Sequence, residues 1–276
     1  MDRFARVLRG WGFEVDYGKH AFDRVGFLAG TDDARAADLN EAFADPAVRA
    51  VFATRGGKGA YRIADRIDFA AVRRDPKLFV GFSDATILHL ALWKECGAIG
   101  IHGPGAEWAV TQASAASVAA LRRALTIDEP ILLRSEPRAE TAALTTTGSA
   151  TGVLIGGGLE MLATAAGWAL PSLDGAILFL EDIDKWRGQI DRMLTMLLNA
   201  GHLRGVRGVA VGHFIRCMTN GETTYLHILR DHLGKLGVPI LGGLPIGHDP
   251  DALTIPVGAP ATLDADAGTL EILPGW

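Results

Sequence analysis

Apolar and polar positions along this chain fall into blocks that read as strand followed by helix. Val51, Phe52, Ala53 and Thr54 make a short apolar run of the kind that forms a buried strand, and a glycine-rich turn, Arg55-Gly56-Gly57-Lys58-Gly59, follows at once. Leu78, Phe79, Val80, Gly81 and Phe82 form a second such run. After it, apolar residues recur at Ile87, Leu88, Ala91 and Leu92, the spacing of one buried helical face, and Gly97 suits the end of that helix. Further strands are predicted around residues 99–101, 153–155, 176–180, 206–211, 239–241, 253–257 and 269–272. Helices are predicted over residues 4–8, from a Thr31 cap towards Phe43, over 159–166, and along Ile190, Met193, Leu194, Leu197 and Leu198. Phe13, Glu14 and Val15 read as a brief strand. Alternation of strand and helix points to a parallel sheet, with ligands gathering at the carboxyl ends of its strands.

Residues 126–152 break the rhythm: they are polar and turn-rich, with Pro130, Pro137 and the run Thr145-Thr146-Thr147-Gly148-Ser149. The expected organisation is therefore a parallel, doubly wound α/β domain over residues 1–126, a linker at 127–150, and a smaller β-rich α/β domain over 151–276. Nearly half of the 276 residues are apolar, so a large core is expected. A net charge of −5 without a basic cluster argues against a nucleic-acid partner. The two cysteines, Cys96 and Cys217, provide neither a disulfide framework nor metal-ligand spacing, and they suit a reducing cytoplasm. No apolar run approaches the ~20 residues of a membrane span, and the first residues lack a signal-peptide core.

Candidate chemistry begins at Gly81-Phe82-Ser83-Asp84-Ala85, a near match to the G-x-S-x-G nucleophile elbow with Ala85 in the last glycine's place. A sharp strand-to-helix turn would lift Ser83 off the sheet edge, with the backbone N–H after it facing an oxyanion. A buried serine in a tight turn is the alternative. The Arg55–Gly59 loop is not a P-loop: Phe52 stands where its first glycine belongs, and Lys58 is followed by glycine. An oxyanion donor is a better use for Gly57, with a plain glycine-rich turn as the alternative.

A serine nucleophile needs a base and an orienting acid. His89 lies inside the helix after the elbow, His227 and His232 belong to an expected surface helix, and His20 and His202 lack supporting context. His102, His213 and His248 each sit in a glycine-flanked loop at a strand end, and His248 has the most rigidly bracketed of these loops. Acids cluster at Glu181-Asp182-Ile183-Asp184. Glu181 ends an apolar strand, while Asp182 and Asp184 suit the start of the following helix.

Together these segments resemble the serine LD-carboxypeptidase family, which includes murein tetrapeptide carboxypeptidases and microcin C self-immunity peptidases. The matching stretches are residues 29–35, 55–60, 76–84, His102-Gly103-Pro104, 179–182, 190–194 and Gly247-His248. The resemblance implies Ser83 as nucleophile, Glu181 as acid, His248 as base, and an oxyanion hole from the N–H groups of Gly57 and Asp84. It also implies a homodimer that needs no cofactor or metal and acts on a small peptide or peptide–nucleotide conjugate. For such a substrate, Arg55, Lys58 and Arg62 are candidate receivers of a carboxylate, with an exposed basic turn as the alternative. Trp108 and Trp186 are candidate platforms for an adenine. The chain departs from the family pattern in three places. It opens on a helix where a strand with a PGD-like turn is usual. It has Lys58 where an aromatic is usual, and Gly158 where the second domain usually has asparagine.

Overall fold

The computed structural model describes residues 2–217 and 223–275. Among these residues eleven strands form two sheets. The strands are β1 (Ala50–Phe52), β2 (Leu78–Gly81), β3 (Gly100–His102), β4 (Ile131–Arg134), β5 (Ser149–Gly158), β6 (Ala176–Ile183), β7 (Gly208–Ile215), β8 (Ile240–Leu241), β9 (Ile255–Val257), β10 (Pro260–Asp264) and β11 (Thr269–Ile272). The first sheet has the order β1-β2-β3-β9, parallel except for β9. The second runs β4-β11-β10-β5-β6-β7-β8, parallel from β5 to β8 and antiparallel at its other end. This is the expected two-domain α/β architecture with parallel strands, and its second half carries the larger sheet.

The helix Thr86–Cys96 lies between the halves, against the helix Leu159–Ala165 and β5. Its residues from Thr86 through Leu92 are all buried, so a single buried face understates its position. A helix that is apolar on all sides belongs inside. Ile87, Leu88 and Leu90 share one continuous core with Ile155, Leu162, Leu178 and Leu194 of the second half. Gly97 closes the helix in the left-handed conformation, its N–H donating to the Trp93 carbonyl at 2.8 Å.

Four expectations change. Phe13 to Val15 form no strand. No neighbouring strand takes up their backbone groups, and the Arg9 guanidinium donates to the Val15 carbonyl at 3.1 Å instead. Residues 127–150 are not all linker, because β4 pairs with β11 along the edge of the second sheet. β10 begins at Pro260, so the turn-like Gly258-Ala259-Pro260 masked a strand whose Ala261 and Leu263 point inward. The helix Tyr225–Gly234 is not wholly surface: His232 is buried and bonded to Asp191 at 2.8 Å. The segment 253–257 is a strand as expected, but as β9 it crosses to the first sheet and stitches the halves together.

Among the described residues no helix is long and apolar enough to cross a membrane.

Candidate active site

The elbow forms where the sequence expects it. β2 ends at Gly81, Phe82 is extended, and Ser83 takes φ +61° at the head of a 3-10 turn that leads into the helix Thr86–Cys96. A non-glycine residue at positive φ is uncommon, and such strain concentrates at functional turns. The glycine-rich loop after β1 passes over this serine. A methyl group at Gly56 would lie 3.0 Å from Ser83 Cβ and 3.2 Å from its Oγ, so a larger residue there would crowd the serine.

The Asp84 side chain does not cap its own helix; Oδ2 accepts the backbone N–H groups of Gly59 at 2.7 Å and Ala60 at 2.8 Å. The buried carboxylate thus clamps the loop that carries Gly57 onto the turn that carries Ser83. The Gly57 N–H, among the described residues, makes no hydrogen bond and is free to donate.

Glu181 lies near the end of β6 and is fully buried, its Oε2 accepting from His248 Nδ1 at 2.7 Å. That contact assigns the imidazole hydrogen to Nδ1 and leaves Nε2 as the basic nitrogen. Burial alone would raise the Glu181 carboxyl, but the charge and hydrogen bond of His248, with the His102 imidazole close by, outweigh it and hold it at about 2. Burial would lower His248, yet the Glu181 charge and hydrogen bond raise it above its ordinary range. The His248 ring packs on Phe82 at 4.7 Å and against the edge of Trp108 at 6.0 Å. It therefore sits beside the residue preceding Ser83, although among the described residues no hydrogen bond joins Ser83 to His248. Catalytic hydrogen bonds of this kind often tighten only in the complex with substrate.

The other histidines divide clearly. Burial drives His89 down to about 4 despite its bond to the Gly81 carbonyl at 2.9 Å. His213 stands 4.0 Å from both Glu136 and Asp249, and His20 is tied to Asp38 at 2.8 Å. His102 is buried, its Nε2 3.8 Å from Glu181 Oε1. The aspartates beside Glu181 do not cap the helix that follows, which begins only at Arg187. Asp182 Oδ2 instead accepts the Glu160 N–H at 2.9 Å, at the start of the helix Leu159–Ala165, and Asp184 pairs with Arg216 at 2.7 Å. Burial and the Glu181 charge push Asp182 up to about 6.

The rim cations are partly engaged. Arg55 lies 3.4 Å from Glu107 and Lys58 3.6 Å from Glu160, both cations largely exposed. Arg62 is drawn away into a bidentate pair with Asp32, at 2.6 Å for its closest contact. Trp186 is 64% exposed at the start of the helix Arg187–Asn199, whereas Trp108 packs on Phe82 at 5.3 Å. Sequence reading overlooked Lys185. It is nearly buried, bridging Glu160 at 3.0 Å and Asp182 at 3.2 Å, and Glu160 in turn pairs with Lys58 of the glycine-rich loop. A lysine four residues past the strand-end glutamate was the available signal. Among the described residues no group of three histidine, cysteine or acidic side chains is arranged to hold a metal.

Comparison with known proteins agrees with this architecture. Residues 1–103 match the LD-carboxypeptidase N-terminal domain, and residues 151–263 match the LD-carboxypeptidase C-terminal domain. A Streptomyces coelicolor protein whose carboxypeptidase name is provisional is 43% identical, over 96% of this chain and 86% of its own length. A protein named probable murein peptide carboxypeptidase from Bacillus subtilis is 34% identical, over 100% of this chain and 87% of its own. The crystal structure of muramoyltetrapeptide carboxypeptidase from Oxalobacter formigenes superposes with a TM-score of 0.87 at 32% identity, covering 100% of this chain and 94% of that one. With both domain models matched in order and relatives similar along nearly their whole length, the chain belongs to the LD-carboxypeptidase family.

Proposed function

We propose that this carboxypeptidase hydrolyses the amide bond before a terminal D-amino acid in murein peptides, with Ser83, His248 and Glu181 as its triad. The observation that carries the reading is the buried Glu181–His248 pair at 2.7 Å, packed on the Phe82 that leads into the strained Ser83 elbow. His248 Nε2 takes the Ser83 proton as Oγ attacks the amide carbonyl, and Glu181 stabilises the imidazolium that results. The N–H groups of Gly57 and Asp84 receive the oxyanion. His248 then protonates the leaving amine, and water on His248 hydrolyses the acyl-enzyme. Lys58 and Arg55 at the rim are suited to the terminal carboxylate, since each is exposed and only loosely paired. The murein-peptide names carried by the Bacillus and Oxalobacter relatives support the substrate class.

Three substrates test the proposal: a murein tetrapeptide ending in D-Ala, its L-Ala epimer, and an aminoacyl-sulfamoyl adenosine. Release from the D-Ala peptide alone is the expected result. Cleavage of the adenosine conjugate alone would reassign the chain to microcin-type immunity, with Trp108, 6.0 Å from His248, as the candidate adenine platform beside the base.

A further inference from the structure

Beside the expected triad, two buried polar atoms face each other without a hydrogen bond. Glu181 Oε1 and His102 Nε2 lie 3.8 Å apart, on side chains 0% and 2% exposed, and neither atom has another partner. Buried donors and acceptors are nearly always paired, because leaving them unpaired is costly. The placement of His102 gives the pair a meaning. His102 ends β3 directly opposite Gly81 of β2, and Ser83 follows Gly81 by two residues. Its ring stands edge-on to Phe179 at 5.0 Å, two residues before Glu181 on β6, and to Phe82 at 6.1 Å. One histidine thus reaches from the sheet that carries the nucleophile to the strand that carries the acid.

Building on the triad reading, we propose that His102 is a positioning residue. Its Nε2–H donates to Glu181 Oε1 while Oε2 accepts from His248 Nδ1. With one donor on each oxygen the carboxylate plane cannot turn, so His248 keeps its Nε2 towards Ser83 as the imidazole gains a proton. Because His102 moves with β2, the same contact sets the distance between Ser83 and an acid held by the other domain. His102 itself touches no reacting atom.

The test compares His102→Gln, His102→Asn and His102→Leu with wild type, in D-Ala release and in the rate of labelling by a fluorophosphonate. Glutamine carries an N–H to about the reach of Nε2, asparagine falls short of it, and leucine has none. Expected are ~10–100-fold losses in kcat and in labelling rate for the asparagine and leucine variants, KM nearly unchanged, and recovery with glutamine. Wild-type rates in the leucine variant, a glutamine variant as poor as leucine, or losses confined to KM would overturn the proposal. Should the substitutions unfold the chain, the imidazole 15N–1H spectrum of wild type decides. An Nε2–H tautomer of His102 supports the proposal and an Nδ1–H tautomer overturns it. Wild type that takes no fluorophosphonate refutes the triad instead, and the tautomer still answers for His102.

Discussion

Glu181 Oε2 and His248 Nδ1 meet at 2.7 Å in surroundings that leave the two side chains 0% and 7% exposed. Each stabilises the charged form of the other, which moves the carboxyl down and the imidazole up.

The first consequence is a displaced pH profile. A general base works only when neutral, so kcat/KM should fall as His248 protonates, with a midpoint above the ordinary histidine value of 6.5. The same shift has a stability sign. The His248 contribution is fully present below about 6.5 and fades as pH rises through the higher folded value, while that of Glu181 is lost as pH falls from 4.5 towards about 2. A pH–rate series with a midpoint at or below 6.5 would contradict the pairing.

Gly247 holds the acid from the other side. It has φ +122°, and a methyl group there would come within 2.9 Å of Glu181 Oε2. Gly247→Ala should cost about 1–3 kcal/mol of stability from backbone strain. It should also reduce kcat by about tenfold or more by displacing the carboxylate. Calorimetry and steady-state kinetics check both, and a variant with wild-type kcat would separate Glu181 from the chemistry.

Asp84 is expected to act through the glycine-rich loop. Asp84→Ala removes the buried acceptor of two loop N–H groups, worth about 2–3 kcal/mol if charge-assisted bonds have their usual strength. Chemical denaturation should show that loss, with kcat reduced as Gly57 drifts from the oxyanion position. Asp84→Asn, which keeps one acceptor, should fall between Asp84→Ala and wild type. Full activity in Asp84→Ala would mean that the clamp has no bearing on catalysis.

His248 and His213 should separate sharply. His248→Ala is expected to lower kcat by roughly 10⁴-fold or more, as removal of a triad member does. His213, which lies 4.0 Å from Glu136 and Asp249, should tolerate alanine within about threefold. An inactive His213→Ala beside an active His248→Ala would reverse the assignment.

Much of this is legible in the sequence. The strand–turn–helix at Ser83 follows from an apolar run, a glycine and a helical period, all of them local signals. Thr31 capping the helix Asp32–Ala44 was readable for the same reason, its Oγ1 accepting the Ala34 N–H at 3.2 Å. What escaped depends on distant partners. Asp84 carries the signature of a helix start, yet its acceptors' donors are Gly59 and Ala60, 24–25 residues back. Asp182 likewise serves the helix that begins at Leu159. β9 reads as an ordinary strand, but nothing local says that it joins the first sheet. His102 reads as one of three strand-end histidines, behind His248, until β3 and β6 set it against Glu181. Spacing along a chain reports faces and turns; it does not report which buried acid a buried histidine meets.

Mass mapping of the fluorophosphonate-treated protein tests the central claim most directly. A serine nucleophile activated by His248 should yield one adduct, on Ser83, and Ser83→Ala and His248→Ala should both abolish it while turnover falls by roughly 10⁴–10⁶. An adduct on any other residue, or a Ser83→Ala enzyme that keeps even a tenth of wild-type turnover, would contradict the account.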